Sequence, residues 1–393
     1  MLRYKYFYIL FFFIVILCFS FYENAEMMSI TYSKLELDSD VTTLRYMLAL
    51  CILCGVFCLF HPRPRMFFSG VFTAMVIFVW VISTLHQSSN VFGWIAMSTN
   101  ILMPLVMLYY FYQVAQTIED RYFYDGLLLV SLIMLYAFWN TYQVQLINSL
   151  TDEVRATSLY IYLFILPFFL LSKNTTLRWG SVVFVAGSMV LSLKRGGAVS
   201  FAASLLVYYF VNSYCTKGKV RIKEFLLMLS VLVIIYLVIT WGMQNYFDEL
   251  FLRLESMSED EGSNRLEVYE TTWWMIAKSD MVSLWLGHGW NMVVEDSPIY
   301  LSAHNDFLEV LYDFGIPAFC LYVYFVYRLY KSMFQLIRWR SSNAAPFAFS
   351  VITFTVNSTV AHILIYPFNF IAIAAVWGYI LGKEKQSLKL ARL

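Results

Sequence analysis

Apolar segments of membrane-spanning length recur along almost the whole chain, and they constrain its fold more than any other feature. They fall at roughly 5–22, 46–61, 66–85, 93–115, 126–148, 157–172, 179–194, 196–214, 224–242, 304–330, 344–364 and 366–382. A helix needs about 20 mostly apolar residues to cross a bilayer, so twelve such helices use about 240 residues. The charge content agrees. Only 13% of the 393 residues are charged, against roughly 25% in soluble domains, and charges in hydrocarbon are costly. The aromatic share of 19% fits belts of rings at two membrane interfaces. The expected fold is therefore all-α and polytopic, with about twelve transmembrane helices and both termini on one side. Residues 1–242 would hold helices 1–9, 243–303 a long structured loop, and 304–393 helices 10–12 with a short tail.

The basic residues orient this arrangement. With the N-terminus in the cytoplasm, the outer side keeps only Lys34, Arg45, Arg155, Lys194, Arg195, Arg253, Arg265 and Lys278 of the 27 lysines and arginines. The cytoplasmic loops then hold the clusters at 217–223 and 328–340, as the bias of short loops requires. The first run follows Arg3 and Lys5 without a convincing small-residue cleavage site, so it reads as a retained helix rather than a signal peptide. A net charge of +1, with no basic patch interleaved with aromatics, gives no reason to expect a nucleic-acid partner. Cys51, Cys54 and Cys58 share a helical spacing, but they read as small apolar residues on one face rather than metal ligands. No disulfide framework is expected.

The outer loop at 243–303 differs from the rest. It carries eleven acidic residues against Arg253, Arg265 and Lys278, a net charge of −8. Asn264 with Glu267 reads as an N-cap with its capping-box partner. Leu266, Tyr269, Trp273 and Ile276 follow at helical spacing. An amphipathic helix is expected over about 265–279, on or against the membrane bundle, with a turn at Gly287-His288-Gly289-Trp290.

Four features on the outer side carry chemistry. In Ser192-Leu193-Lys194-Arg195-Gly196-Gly197, two cations sit at a helix junction against the charge bias, beside glycines that permit close approach of a ligand. Guanidinium suits phosphate binding; a snorkelling interfacial pair is the ordinary alternative. Arg265 opens the loop helix, where a solvated surface arginine is the ordinary alternative. Gly287-His288-Gly289 signals chiefly a turn. Last comes His304-Asn305-Asp306-Phe307-Leu308-Glu309, continuing to Asp313 and Gly315, where the chain re-enters the membrane. If helical, this stretch puts His304, Leu308 and Leu311 on one face and Glu309 and Asp313 on another. A histidine there is able to accept a proton near neutral pH; capping the helix start is its ordinary alternative. Taken together, the four features make one site, with cations for a diphosphate and a histidine base beside them.

In their order and spacing these motifs resemble the O-antigen ligase and polymerase superfamily. Arg195-Gly196 stands at a helix end, the long outer loop carries Arg265 and then Gly287-His288-Gly289, and Gly315 follows His304 by eleven residues. The resemblance covers about 190–320 and implies a glycosyltransferase of the bacterial inner membrane with a periplasmic site. Its donor would be a glycan on undecaprenyl diphosphate, and its acceptor a glycan or lipid A-core. No cofactor or metal is implied. The resemblance maps Arg195 and Arg265 as diphosphate binders and His304 as the base. Lys194, Gly196, His288, Asn305, Asp306 and Glu309 stand as supporting residues, Asp306 or Glu309 orienting the histidine. A polymerase would also imply a chain-length regulator. The acidic loop would repel a phosphorylated core, which favours polymerase over ligase. A transporter of lipid-linked sugar is the alternative of another class. Transporter sites lie near the bilayer midplane, whereas the polar residues here gather at the outer face. A purely scaffolding protein would leave the cluster unexplained.

Overall fold

The computed structural model describes residues 67–86, 91–148, 160–191, 195–218, 265–298, 301–361, 363–364 and 367–390. Its described helices are α1 (Ser69–His86), α2 (Val91–Thr117), α3 (Asp120–Asn148), α4 (Tyr160–Leu170), α5 (Thr175–Leu191), α6 (Arg195–Lys217), α7 (Arg265–Lys278), α8 (Met281–Leu286), α9 (Met292–Asp296), α10 (Asp306–Arg338), α11 (Ala344–Val360) and α12 (Pro367–Leu390). No strand occurs among the described residues. Among the described residues, three segments are long and apolar enough to cross a membrane: Ser69–His86, Gly196–Lys217 and Asp306–Arg338. Ile161–Leu170 and Ala344–Val360 are shorter apolar helices. The expected spans at 5–22, 46–61 and 224–242 lie outside the described residues, as does the expected cap Asn264.

The chain divides into two compact units, one of Met1–Lys194 with Tyr366–Leu393 and one of Arg195–Ile365. In the first, α12 packs along α2. Gly378 and Gly382 stand one turn apart on α12, and a side chain at either would run into the backbone of α2, at Leu108 and at Tyr112 respectively. Small residues at that spacing let two helix backbones approach closely. Aromatic rings fill the rest of this core. Trp377 meets Phe68 edge-on at 5.3 Å, and Tyr379 stacks on Phe123 at 4.1 Å. All of 161–170 in α4 is buried, as expected of a helix that is apolar all round.

The second unit is held by polar side chains as well as apolar ones. Ser204 Oγ and Thr353 Oγ1 lie 2.8 Å apart between α6 and α11. Asn357 Nδ2 donates to Ser200 Oγ at 2.7 Å. The expected loop helix is present as α7, but its buried side differs from the sequence stripe. Val268, Thr272, Met275 and Ile276 face inward, while Leu266 and Trp273 are exposed. A small cluster of Met275, Ile276, Val293, Ala303 and Tyr312 draws α7, α9 and the start of α10 together.

Candidate functional site

The site is built around a kink in α10. Gly315 there has φ 77° and ψ 178°, and Pro317 follows it. Proline has no N–H for the carbonyl four residues back, which leaves Asp313 C=O without its helical donor. Gly289 N–H donates to that carbonyl at 2.8 Å, and His288 N–H donates to Tyr312 C=O at 3.1 Å. The Gly287-His288-Gly289 turn is thus docked on the kink. Its glycines have a reason in the backbone: Gly287 has φ 72° and Gly289 φ 114°. A Cβ on Gly315 would lie 2.5 Å from the carbonyl oxygen of Trp285, and one on Gly287 would strike the backbone of Asp313.

Side chains reinforce the same joint. The buried Asp313 carboxylate accepts from the backbone N–H of Asn291 and Val293, each at 3.0 Å, so it caps α9 from a neighbouring helix. The His288 ring stacks on Tyr312 at 4.1 Å. Its Nε2 lies 2.9 Å from Ser279 Oγ, and its Nδ1 lies 4.0 Å from Asp296 Oδ2. Tyr312 Oη donates to that same carboxylate at 2.8 Å. These contacts make His288 a tie between the residue that follows α7, the end of α9 and α10. At the start of α8, Asp280 accepts from Ser283 N–H at 2.8 Å, and this bond holds its carboxyl below the usual carboxylate range.

The segment that opens α10 departs from the helical reading of His304. The helix begins at Asp306, and Asn305 is its N-cap, accepting from the N–H of Phe307 and Leu308. His304 therefore precedes the helix and shares no helical face with Leu308 and Leu311. It is half-buried in a left-handed conformation with φ 50°, uncommon for a residue with a Cβ. The buried Glu309 carboxyl faces the backbone N–H groups of Ala303 and His304. Asp306 turns elsewhere: its Oδ1 accepts from Ile363 and Leu364 N–H at 2.9 and 3.2 Å, and Tyr322 Oη donates to Oδ2 at 3.3 Å.

Three helix starts are tied to one turn, the last of α11. Asn305 Nδ2 donates to Thr359 C=O at 3.3 Å, and Tyr269 Oη donates to the same carbonyl at 3.1 Å. Asn357, two residues earlier, donates to Ser200. Ser200 is in the second turn of α6, which opens on Arg195; Tyr269 is one turn into α7, which opens on Arg265; Asn305 adjoins His304. Gly196 is the second residue of α6. The side chains of Arg195 and Arg265 and the whole of Lys194 lie outside the described part of the chain. Helix N-termini carry partial positive charge and inward-pointing N–H groups, which suits an anion. Among the described residues, no three His, Cys, Asp or Glu side chains gather to hold a metal ion.

Sequence reasoning missed Asn357 and Thr359, although the polar run Asn357-Ser358-Thr359 inside an apolar segment was a visible signal. It also missed Asp313 as a cap, because Asn291 and Val293 lie about twenty residues upstream across two turns. No curated protein matches the chain. A family model described as O-antigen ligase matches residues 180–323, a stretch that includes Arg195, Arg265, the docked glycine turn, His304 and the kink. Residues 180–323 are thus similar to the O-antigen ligase family, which supports the resemblance to the O-antigen ligase and polymerase superfamily.

Proposed function

We propose that this chain is a glycosyltransferase of the inner membrane that acts at the periplasmic face on a glycan linked to undecaprenyl diphosphate. The observation that carries the reading is the shared anchoring of α6, α7 and the His304 segment on the last turn of α11, within or beside the stretch matching the O-antigen ligase family. The starts of α6 and α7 bring positive helix ends, with Arg195 and Arg265 at their first positions and Lys194 just ahead. Such groups would stabilise charge building on a departing diphosphate, commonly the largest catalytic term.

In the proposed reaction, an acceptor hydroxyl oxygen attacks the anomeric carbon of the donor sugar. The bond from that carbon to the diphosphate oxygen breaks, and undecaprenyl diphosphate leaves with the electron pair. His304 takes the hydroxyl proton, and the configuration inverts in a single displacement. The chemistry needs no metal. Glu309, facing the amide of His304, supports the histidine's conformation, and Asp306 supports the turn after α11.

The acceptor favoured is a growing glycan, which makes the enzyme a polymerase working with a chain-length regulator. The loop of net charge −8 would repel a phosphorylated lipid A-core, although salt screens such repulsion beyond about 10 Å. The description of the matching family as O-antigen ligase supports the second reading, transfer of the finished glycan to that core. Gel analysis of lipopolysaccharide from a deletion strain and its complement separates the two. Core bearing one repeat with no ladder identifies a polymerase, and bare core with polymer held on the lipid carrier identifies a ligase. Complementation with Arg195→Ala or Arg265→Ala should give no long chains while the protein stays in the membrane. His304→Ala should cut the rate about 10² to 10⁴-fold, the range of a general base. A normal ladder from Arg195→Ala would overturn the diphosphate clamp.

A further inference from the structure

The helix α8 has an outward face with no polar side chain. Met281 is 70% exposed, Val282 66%, Trp285 54% and Leu286 43%. Ser283 and Leu284 lie on the other side, half-buried, and Leu284 packs on the Met275–Val293–Tyr312 cluster. Just upstream, α7 exposes Trp273 and Trp274, and Lys278 Nζ stands 3.6 Å from the Trp274 ring centroid. Contiguous exposed apolar surface of this kind marks an interaction site. Tryptophans with a lysine beside them have the composition of a membrane interface, where a ring is apolar at one end and wet at the other.

The position of α8 along α10 selects the occupant. The carbonyl of Trp285 and the backbone of Gly287 lie against Gly315, so the end of α8 is level with the kink. With 33 residues, α10 is about 50 Å long, against a hydrocarbon core about 30 Å thick. One of its ends must protrude. Arg328, Lys331 and Arg338 mark the basic, cytoplasmic end by the positive-inside bias. Counting back about 20 residues from each places the outer edge of the hydrocarbon between about residues 308 and 318. Gly315 falls inside that interval. The start of α10 at Asp306 then lies outside the hydrocarbon, and the apolar face of α8 lies at its border.

We infer that α8 is an interfacial anchor, with Met281, Val282, Trp285 and Leu286 seated in the outer leaflet of the phospholipid bilayer at the boundary of headgroups and acyl chains. The anchor fixes the height of the docked glycine turn, and so of the kink beneath it, relative to the membrane surface. The inference needs only the spanning direction of α10 and is independent of which acceptor the enzyme uses.

The test places a benzophenone amino acid at position 281 or 282 of the full-length chain in nanodiscs of phosphatidylethanolamine and phosphatidylglycerol. Both positions point outward, so the probe leaves the packing intact. After illumination, mass spectrometry should find the loop peptide joined to phospholipid at both positions. Joining to another segment of the chain or to a second copy means that protein covers the face, and overturns the inference. Solvent-quenched probe with no adduct also overturns it. A second measurement needs no probe. Lipids brominated near the headgroup should quench part of the tryptophan fluorescence, and Trp285→Phe should lower the quenched amplitude by that ring's share. An unchanged amplitude counts against the anchor.

Discussion

Glycine serves both units where backbone meets backbone, but in different ways. In α12, Gly378 and Gly382 lie inside a regular helix and leave room for α2 to pass. The surroundings are rings and aliphatic chains. At the kink of α10, Gly315 and Gly287 both adopt positive φ, and their close approach lets one segment complete the hydrogen bonds of another. Three buried carboxylates, Asp306, Glu309 and Asp313, line that arm of α10, whereas Glu384 is the one buried carboxylate among the described residues of the other unit. Apolar packing of regular helices makes a scaffold at little electrostatic cost. Buried polar joints are costly unless every group is bonded, so their concentration along the first turns of α10 sets that joint apart from the ring-packed core.

Replacing these glycines should give the largest effects. Gly287→Ala adds a clash with the Asp313 backbone to a conformation that L side chains disfavour by roughly 1–2 kcal/mol. Gly378→Ala adds only a clash, for which overpacking costs about 1–3 kcal/mol. Thermal unfolding in detergent, followed by tryptophan fluorescence, should therefore find Gly287→Ala the more destabilising, by about 1–2 kcal/mol. Equal losses would mean that the two glycines serve the same purpose and that the left-handed backbone at 287 is not required.

The next effect belongs to Asp313. Its carboxylate accepts from Asn291 and Val293 N–H, and bonds to charged acceptors contribute about 1.5–3 kcal/mol each. Asp313→Ala strands two donors and should cost about 3 kcal/mol in total, since the loop can relax toward water. Asp313→Asn keeps one acceptor oxygen and should lose roughly half as much. Amide exchange at 291–293 should speed up in both variants, while α12 in the other unit keeps its protection. Unchanged exchange at 291–293 would show that Asp313 does not hold α9.

How far such features were legible in the sequence follows from the range of the interactions. The apolar runs and the helix at 265–279 depend on periodicity within a few turns, and α7 ends within a residue of its expected limit. The glycine turn was legible as a turn because glycine punctuates the chain locally. Its docking on Tyr312 and Asp313 was not, since that pairing joins residues some 24 positions apart. His304 was read either as helical or as capping the helix start, because an apolar run re-entering the membrane does not show where its helix begins. The start at Asp306 comes from Asn305, whose side chain turns back to cap the helix. The convergence on Thr359 was invisible for a further reason: Tyr269 and Asn305 reach a backbone carbonyl, which carries no signature in the sequence.

The smallest effects belong to two buried tyrosines, where a loss is expected at one and none at the other. Tyr322 and Tyr379 are both fully buried, one in each unit. The hydroxyl of Tyr322 donates to Asp306 at 3.3 Å, a long bond to a carboxylate that also receives Ile363 and Leu364 N–H. Tyr322→Phe should therefore cost about 1.5 kcal/mol, the low end for a charged acceptor. Tyr379 stacks on Phe123 and lies under Lys383 Nζ at 5.3 Å, but its hydroxyl has no hydrogen-bond partner among the described residues. Tyr379→Phe keeps the stack and the cation over the ring while removing a desolvated hydroxyl. It should be neutral or raise stability by up to about 1 kcal/mol. An unfolding temperature that falls for Tyr322→Phe but not for Tyr379→Phe would support the view that hydroxyls are bonded at the α10 joint and incidental in the ring-packed core. A loss at Tyr379 matching that at Tyr322 would show that this core also depends on buried polar bonds, and the contrast between the units would fail at that point.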